Sequence, residues 1–129
     1  MRPLIAIALA IFLARAERAD AEFFSRSARP GQATRMHTYL AWKKDCSPNV
    51  GIVRLVTKPQ HGTLKTTRPN EVAARNRWRL TDPCIGKTMK GFRVEYTSVP
   101  GYRGPDSFVV EFTAGQRPTE LDTFTVSVE

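Results

Sequence analysis

Apolar and polar residues alternate most regularly in three stretches of the second half of the chain. The apolar members are Phe92, Val94 and Tyr96, then Phe108, Val110 and Phe112, then Phe124, Val126 and Val128. A period of two places each trio on one face of a β-strand, with polar residues on the other face. The pattern therefore predicts three strands of a sheet that is buried on one side and wet on the other.

Weaker alternation in the first half predicts further strands at residues 22–29, 33–42, 50–57 and 63–67. Either Phe23 or Phe24 is the expected anchor of the first. In 33–42, Met36 is expected on one face, with His37 and Tyr39 on the solvated face. The register of 50–57 is ambiguous, and 63–67 is expected to pair back on it as a hairpin arm. Together these patterns predict an all-β chain.

The connection between the strands at 92–96 and 108–112 is rich in turn residues. Pro100 presets the first corner of a turn, Gly101 suits the positive φ that follows, and Gly104 repeats the device before Pro105. The connection is too long for a tight hairpin, so it is predicted to cross between two sheets. We expect Tyr102 to plug the end of the sandwich and Asp106 to hold backbone amides. The predicted structural corner comprises Pro100, Gly101, Tyr102, Gly104, Asp106 and Phe108.

The corner run YTSVPGYRGPDSF, with KPQHGTL upstream, resembles the second half of bacterial immunoglobulin-like and cadherin-like domains. The resemblance covers about half of the chain and implies an immunoglobulin-like Greek-key β-sandwich of about seven strands. Ser98 stands where those domains usually carry proline. Related domains often bind calcium through acidic clusters, but the aspartates here are scattered singly, so no metal is expected.

The first residues have the layout of a secretory signal peptide. Arg2 precedes ten consecutive apolar residues, 4–13, which are too few to span a bilayer as a helix. Small residues allow cleavage after Ala16, Ala19 or Ala21, and the last is favoured, which gives a signal peptide at 1–21 and a domain at 22–129. An uncleaved amphipathic anchor or a core strand is the alternative. The expected location is the periplasm or the cell exterior.

Two cysteines, Cys46 and Cys84, occur in the chain. An even number in a small exported domain predicts one disulfide. Separately, no transmembrane helix is expected in the mature form. Zinc is the rival interpretation, but closely spaced ligand pairs are missing and the histidines, His37 and His61, are isolated.

The formal net charge of +8 favours anionic partners, and removing residues 1–21 lowers it by only one. The partner expected is an anionic polysaccharide or another envelope protein, with no specific nucleic acid. A candidate anion-binding strand carries Arg75, Arg77, Trp78 and Arg79. The alternative is that Trp78 is core and the arginines are merely solvated.

Residue patterns typical of enzymes are lacking. Glu95 and Glu111 are expected on outward faces, no serine lies in a glycine–serine elbow, and the glycines are spaced for turns. The sequence therefore predicts no catalytic residues and no cofactor, and favours an exported binding or structural module of the cell envelope. The alternative is a small periplasmic enzyme or enzyme inhibitor that acts through residues 68–83.

Overall fold

The computed structural model describes residues 20–49, 51–68, 72–73, 81–115 and 118–129. All regular structure in these ranges is β-strand, so none of it is a helix that could cross a membrane. The prediction of an all-β chain is confirmed. The nine strands are β1 (Asp20–Ala28), β2 (Thr34–Tyr39), β3 (Gly51–Thr57), β4 (Gly62–Thr67), β5 (Val72–Ala73), β6 (Thr88–Met89), β7 (Phe92–Ser98), β8 (Gly104–Ala114) and β9 (Glu120–Val128).

Seven of the strands form two larger sheets. One has four strands in the order β1-β9-β8-β3, the other has three in the order β2-β7-β4, and β5 pairs with β6 separately. β1 runs parallel to β9, whereas the other pairs are antiparallel. Because β7 and β8 lie in different sheets, the corner between them crosses from one sheet to the other, as predicted.

The core lies where the inward faces of the two sheets meet. The predicted alternation is clearest in β8 and β9, whose apolar trios are buried, while Phe92 at the start of β7 is only half-buried. Aromatic rings stack through this core: Phe124 lies 5.0 Å from Phe24 and 4.7 Å from Phe108, and Phe108 lies 6.1 Å from Tyr96 on the opposing sheet. Burying such side chains stabilises the fold by roughly 2 kcal/mol each before entropy is counted.

The predicted hairpin between residues 50–57 and 63–67 is wrong. β3 pairs with β8, and β4 pairs with β7, so the two strands belong to different sheets. The connection between them is held at the sandwich end, where the amides of Gln60 and His61 donate to the carboxylate of Asp106. These hydrogen bonds satisfy amides that a tight hairpin turn would have used internally.

A register shift in β2 corrects a second expectation. Its pairing with β7 is irregular between Arg35 and His37, so both Met36 and Tyr39 are buried although they lie three residues apart. His37 is consequently not a solvated strand residue. It is half-buried, with its ring centroid 4.8 Å from that of Phe24 and 4.6 Å from that of Tyr39. A bulge inserts one residue and reverses the faces that follow it.

The ambiguity in β3 and at Phe23 is resolved by burial. Val53 and Phe24 pack against the core, whereas Ile52 and Phe23 are 67% and 80% exposed. The predicted signal peptide lies almost entirely outside the described residues, and β1 begins at Asp20.

Candidate functional site

The segment after β2 folds into a compact turn. The Lys43 carbonyl accepts the amide of Cys46 at 2.9 Å, and the Lys43 amide donates to the Ser47 carbonyl at 2.9 Å. The side chain of Asp45 accepts both the amide and the hydroxyl of Ser47. Aspartate favours such turns because its short carboxylate reaches the backbone two residues ahead. The turn therefore presents Lys43 and Lys44 on a fixed backbone.

A disulfide ties this turn to the segment that precedes β6. Cys46 and Cys84 are bonded with a Cα–Cα distance of 5.3 Å, which confirms the predicted bridge. Asp82 provides the second tie. Its Oδ1 accepts the Cys84 amide at 2.8 Å, and its Oδ2 accepts the indole Nε1–H of Trp42 at 3.1 Å.

A cavity of about 470 Å³ opens between the two tied segments, and we name it the Trp42 pocket. It is lined by Trp42, Lys43, Lys44, Thr81, Asp82 and Pro83. The lysines are exposed, whereas Trp42 is half-buried with its N–H already used by Asp82. The pocket thus combines a fixed aromatic surface with two solvated ammonium groups, a composition suited to a ligand with an apolar face and an anionic substituent.

Asp82 is the one acid among the described residues that line the Trp42 pocket. Both of its carboxylate oxygens accept hydrogen bonds from neighbouring donors. The described lining contains no second acid and no histidine that could exchange a proton with it. Paired acid–base groups of the kind that catalysis uses are therefore not assembled among these lining residues.

The corner between β7 and β8 is organised around a different aspartate. Asp106 is buried at 8% exposure, and its carboxylate accepts the amides of Gln60, His61 and Ser107 together with the hydroxyl of Tyr96. Burial pushes the pKa of Asp106 upward, but these donors outweigh burial and hold the pKa below its usual value. The carboxylate of Asp106 thus links three segments of the chain.

Pro100 and Gly101 occupy the centre of a turn that the Tyr102 amide closes by donating to the Val99 carbonyl at 3.1 Å. Gly101 has a φ of 80° and Gly104 a φ of 134°, both in the region that favours glycine.

Tyr102 completes the corner on its outer side. Its ring stacks on that of His61 at 4.0 Å, and its hydroxyl donates to the Pro105 carbonyl at 2.6 Å. Phe108, the last residue of the predicted corner, is buried in the core. Tyr102 and Asp106 are thus held by contacts with neighbouring residues of the connection and with the segment at Gln60 and His61.

A third aspartate, Asp122 on β9, is buried toward the end of the four-stranded sheet that lies away from Asp106. Asp122 is 1% exposed, and its Oδ2 accepts the Tyr39 hydroxyl at 2.6 Å. Burial raises the pKa of Asp122, the hydrogen bond from Tyr39 opposes that rise, and the charge of Glu22 adds to it. Burial likewise raises the pKa of Tyr39, helped by Asp122. Glu22 faces Asp122 directly in the parallel register of β1 and β9.

The predicted anion-binding residues Arg75, Arg77, Trp78 and Arg79 lie outside the described residues. Sequence reasoning missed the Trp42 pocket, whose signal was the neighbouring Trp42, Lys43 and Lys44 just before a bonded cysteine. It also missed the burial of Asp122, which shares the inward phase of Phe124 and Val126. No group of three or more metal-ligating side chains converges in the described parts of the chain.

No protein-family model matches the chain, and none of the curated proteins matches it. Among solved structures, the chain is similar to an endo-fucoidan hydrolase of glycoside hydrolase family 107, with a TM-score of 0.45 and 10% identity over 83% of this chain and 12% of that one. It is similar to a family 123 glycoside hydrolase from Clostridium perfringens, with a TM-score of 0.43 and 10% identity over 83% of this chain and 23% of that one. It is also similar to amebosin, with a TM-score of 0.42 and 12% identity over 86% of this chain and 100% of that one.

Proposed function

We propose that this protein is an exported immunoglobulin-like module of the cell envelope that binds anionic saccharide through the Trp42 pocket. The observation that carries the proposal is the pocket itself. An aromatic ring and two lysines are held together there by a disulfide and by the Asp82 hydrogen bonds.

The strand order supports the immunoglobulin-like assignment. In that fold, strands lettered A to G along the chain place C, F and G in one sheet and B, E and D in the other. Lettering the seven strands of the two larger sheets gives the same groups here: β3, β8 and β9 lie together, as do β2, β7 and β4. Strand A, which is β1, lies beside strand G, and the β5–β6 pair is an insertion between D and E.

The Cys46–Cys84 disulfide supports export, because such bonds persist in oxidising compartments such as the periplasm and the cell exterior. Export is tested by expressing the full chain in a bacterial host and fractionating the cells. Recovery of the protein only from the cytoplasm, with residues 1–21 still attached, would contradict this part of the proposal.

The ligand class follows from the geometry of the Trp42 pocket. A sugar ring presents C–H groups that pack on an indole face, and a carboxylate or sulfate on that ring accepts hydrogen bonds from ammonium groups. Lys43 and Lys44 are adjacent on the tied turn, so one ligand anion can engage either of them. Neutral saccharides lack the second contact and are expected to bind more weakly.

The test measures binding of a heparin-derived oligosaccharide by titration calorimetry. The double variant Lys43→Gln/Lys44→Gln is compared with Lys58→Gln/Lys65→Gln, which removes the same charge from exposed positions elsewhere. We expect roughly a tenfold loss of affinity for the pocket variant, equivalent to about 1.4 kcal/mol, and a much smaller loss for the control. Equal losses in the two variants would show that net charge alone attracts the ligand.

A Trp42→Ala variant separates ring packing from charge. It should weaken the oligosaccharide as well as a small uronic acid, whereas inorganic sulfate should be affected little. If Trp42→Ala leaves all three unchanged, the pocket is not the binding site.

A further inference from the structure

The outward face of the four-stranded sheet is almost uncharged in a strongly basic protein. Within the strand bounds, two ionised side chains, Arg54 and Glu111, stand at the outward positions of β1, β9, β8 and β3, and they neutralise each other. Just past the end of β9, the Glu129 carboxylate adds one charge at the rim, where it accepts the Ser127 hydroxyl at 3.0 Å. Their contact is bidentate, with both nitrogen–oxygen distances at 3.1 Å. We name this surface the neutral face.

Hydroxyl groups and short apolar side chains make up the middle of the neutral face. The strand registers align Ser25 with Thr125 and Ser107 in one row, and Phe23 with Thr123 and Val109 in the next. The Ser25 and Thr125 hydroxyls already lie 3.3 Å apart. Such side chains leave the sheet surface flat enough for a second sheet to approach to about 10 Å.

The two edges of the neutral face expose apolar groups. Phe23 on β1 is 80% exposed, and Val56, at the register shift on β3, is 46% exposed. The edges are separated by three strand spacings, or roughly 14 Å. A two-fold axis parallel to the strands, placed between β8 and β9, would lay the β1 edge of one copy over the β3 edge of the other.

We propose that the protein pairs with a second copy of itself through the neutral face. A net charge of +8 makes two copies repel each other. The neutral face adds no net positive charge of its own, so the repulsion is weakest when two copies approach through this surface. The pairing brings Phe23 against Val56 at both edges and Val109 against Thr123 in the middle. A neutral polysaccharide fits the surface less well, because one exposed aromatic ring offers no platform on which successive sugar rings could stack.

The size of the neutral face predicts a weak dimer. Four strands at about 4.8 Å spacing and about 27 Å of β8 give an area on the order of 500 Å² per copy. The total of about 1,000 Å² lies at the lower limit for a specific interface. The dimer is therefore expected only at raised protein concentration. The pairing does not involve the residues that line the Trp42 pocket.

Sedimentation equilibrium of the full, disulfide-bonded chain tests the proposal. We expect a monomer–dimer equilibrium between about 5 µM and about 500 µM. Raising sodium chloride from about 0.15 M to about 0.5 M should strengthen dimerisation, because salt screens the repulsion between two basic molecules. A chain that stays monomeric throughout this range overturns the proposal. It does so even if the monomer binds insoluble cellulose, which represents the neutral polysaccharide considered above.

A charge-matched pair of variants locates the interface. Thr125→Arg places an unpaired charge at the middle of the neutral face and should weaken dimerisation roughly tenfold or more. Thr63→Arg adds the same charge to the outward face of the other sheet and should leave dimerisation nearly unchanged. Equal weakening by both variants would contradict the assignment. Phe23→Ser provides a second test at an exposed edge position, and denaturant melts of each variant establish that it is folded.

Discussion

Two buried aspartates, at opposite ends of the four-stranded sheet, illustrate how neighbours shift the pKa of a carboxylate. Asp106 and Asp122 are both buried, and each accepts a tyrosine hydroxyl, from Tyr96 at 2.7 Å and Tyr39 at 2.6 Å. The remaining donors differ. Asp106 also accepts three backbone amides, and its pKa is lowered.

Asp122 has fewer donors than its burial demands. Within the described residues, its Oδ1 has no hydrogen-bond partner, although the Glu22 backbone lies near enough to favour the ionised form slightly. The negative charge of Glu22 opposes ionisation, and the pKa of Asp122 is raised. A tyrosine partner alone therefore does not offset the effect of burial on the pKa of a carboxylate, whereas several backbone amides together with a tyrosine do.

Removing the disulfide is expected to cause the largest loss of stability. It also provides a reference, because it should lower the free energy of unfolding without involving Asp106 or Asp122. Cys46→Ser/Cys84→Ser should lower the free energy of unfolding by about 4 kcal/mol in the chain-entropy model, because the unfolded chain regains its freedom. Neither aspartate contacts the disulfide, so the dependence of stability on pH should keep its shape. Urea melts from pH 3 to pH 8, taken in steps of about one unit, measure both quantities. A changed shape would mean that the tied turn and the aspartates are coupled.

Matched amide substitutions should separate the two aspartates next. Each oxygen of Asp106 receives two donors, so the NH₂ group of Asp106→Asn must face a donor, and we expect a cost of about 2–3 kcal/mol. Asp122→Asn can place its NH₂ group at the unpartnered Oδ1 position, with a cost of about 1 kcal/mol or less. Denaturant midpoints near pH 7 measure the loss of stability in each variant. Equal losses in the two variants would contradict the expected difference between the two aspartates.

The pH dependence should have opposite signs at the two sites. Because the folded pKa of Asp106 is lowered, its contribution is present above the unfolded value of about 3.9 and is lost as the pH falls through the folded pKa. Because the folded pKa of Asp122 is raised, its contribution declines as the pH rises from about 3.9 through the folded pKa.

The measurement is the difference in unfolding free energy between each asparagine variant and the parent chain across this range. Asp122→Asn should gain on the parent as the pH rises, whereas Asp106→Asn should fall further behind it. Parallel curves for the two variants would contradict the assignment of opposite shifts.

The smallest effect is expected at the outer side of the corner. Tyr102→Phe removes the hydrogen bond to the Pro105 carbonyl but keeps the ring stack on His61. Water can replace the hydroxyl at this exposed position, so the cost should be about 0.5–1 kcal/mol. A loss in denaturant melts as large as that of Asp106→Asn would contradict this ranking and show that the Tyr102 hydroxyl ties the corner as strongly as Asp106 does.

The sequence predicts the strands well wherever alternation is uninterrupted. β7, β8 and β9 and the crossing corner follow from period-two patterns and from Pro100 and Gly101, because local preference and burial agree there. The disulfide followed from the number of cysteines. β2 could not be assigned correctly, because a bulge beside Met36 reverses the faces without altering composition. The partner of β4 depends on contacts distant in sequence, which alternation does not encode.

The Trp42 pocket and the burial of Asp122 were beyond the patterns for a related reason. The pocket forms from two segments that only the disulfide brings together, so neither segment alone predicts a cavity. Asp122 lies in phase with buried apolar residues, and a polar residue in that phase is usually interpreted as an interruption of the face. Its tyrosine partner lies in a strand whose register was reversed.

The parallel pairing of β1 with β9 has a mechanical consequence. Nine consecutive positions are matched, from Asp20 opposite Glu120 to Ala28 opposite Val128. The chain therefore enters the sandwich at one pole and leaves it at the other. Tension applied between these two points runs along both strands in opposite directions and loads their hydrogen bonds together in shear. An antiparallel pair pulled from one end would instead open one hydrogen bond at a time.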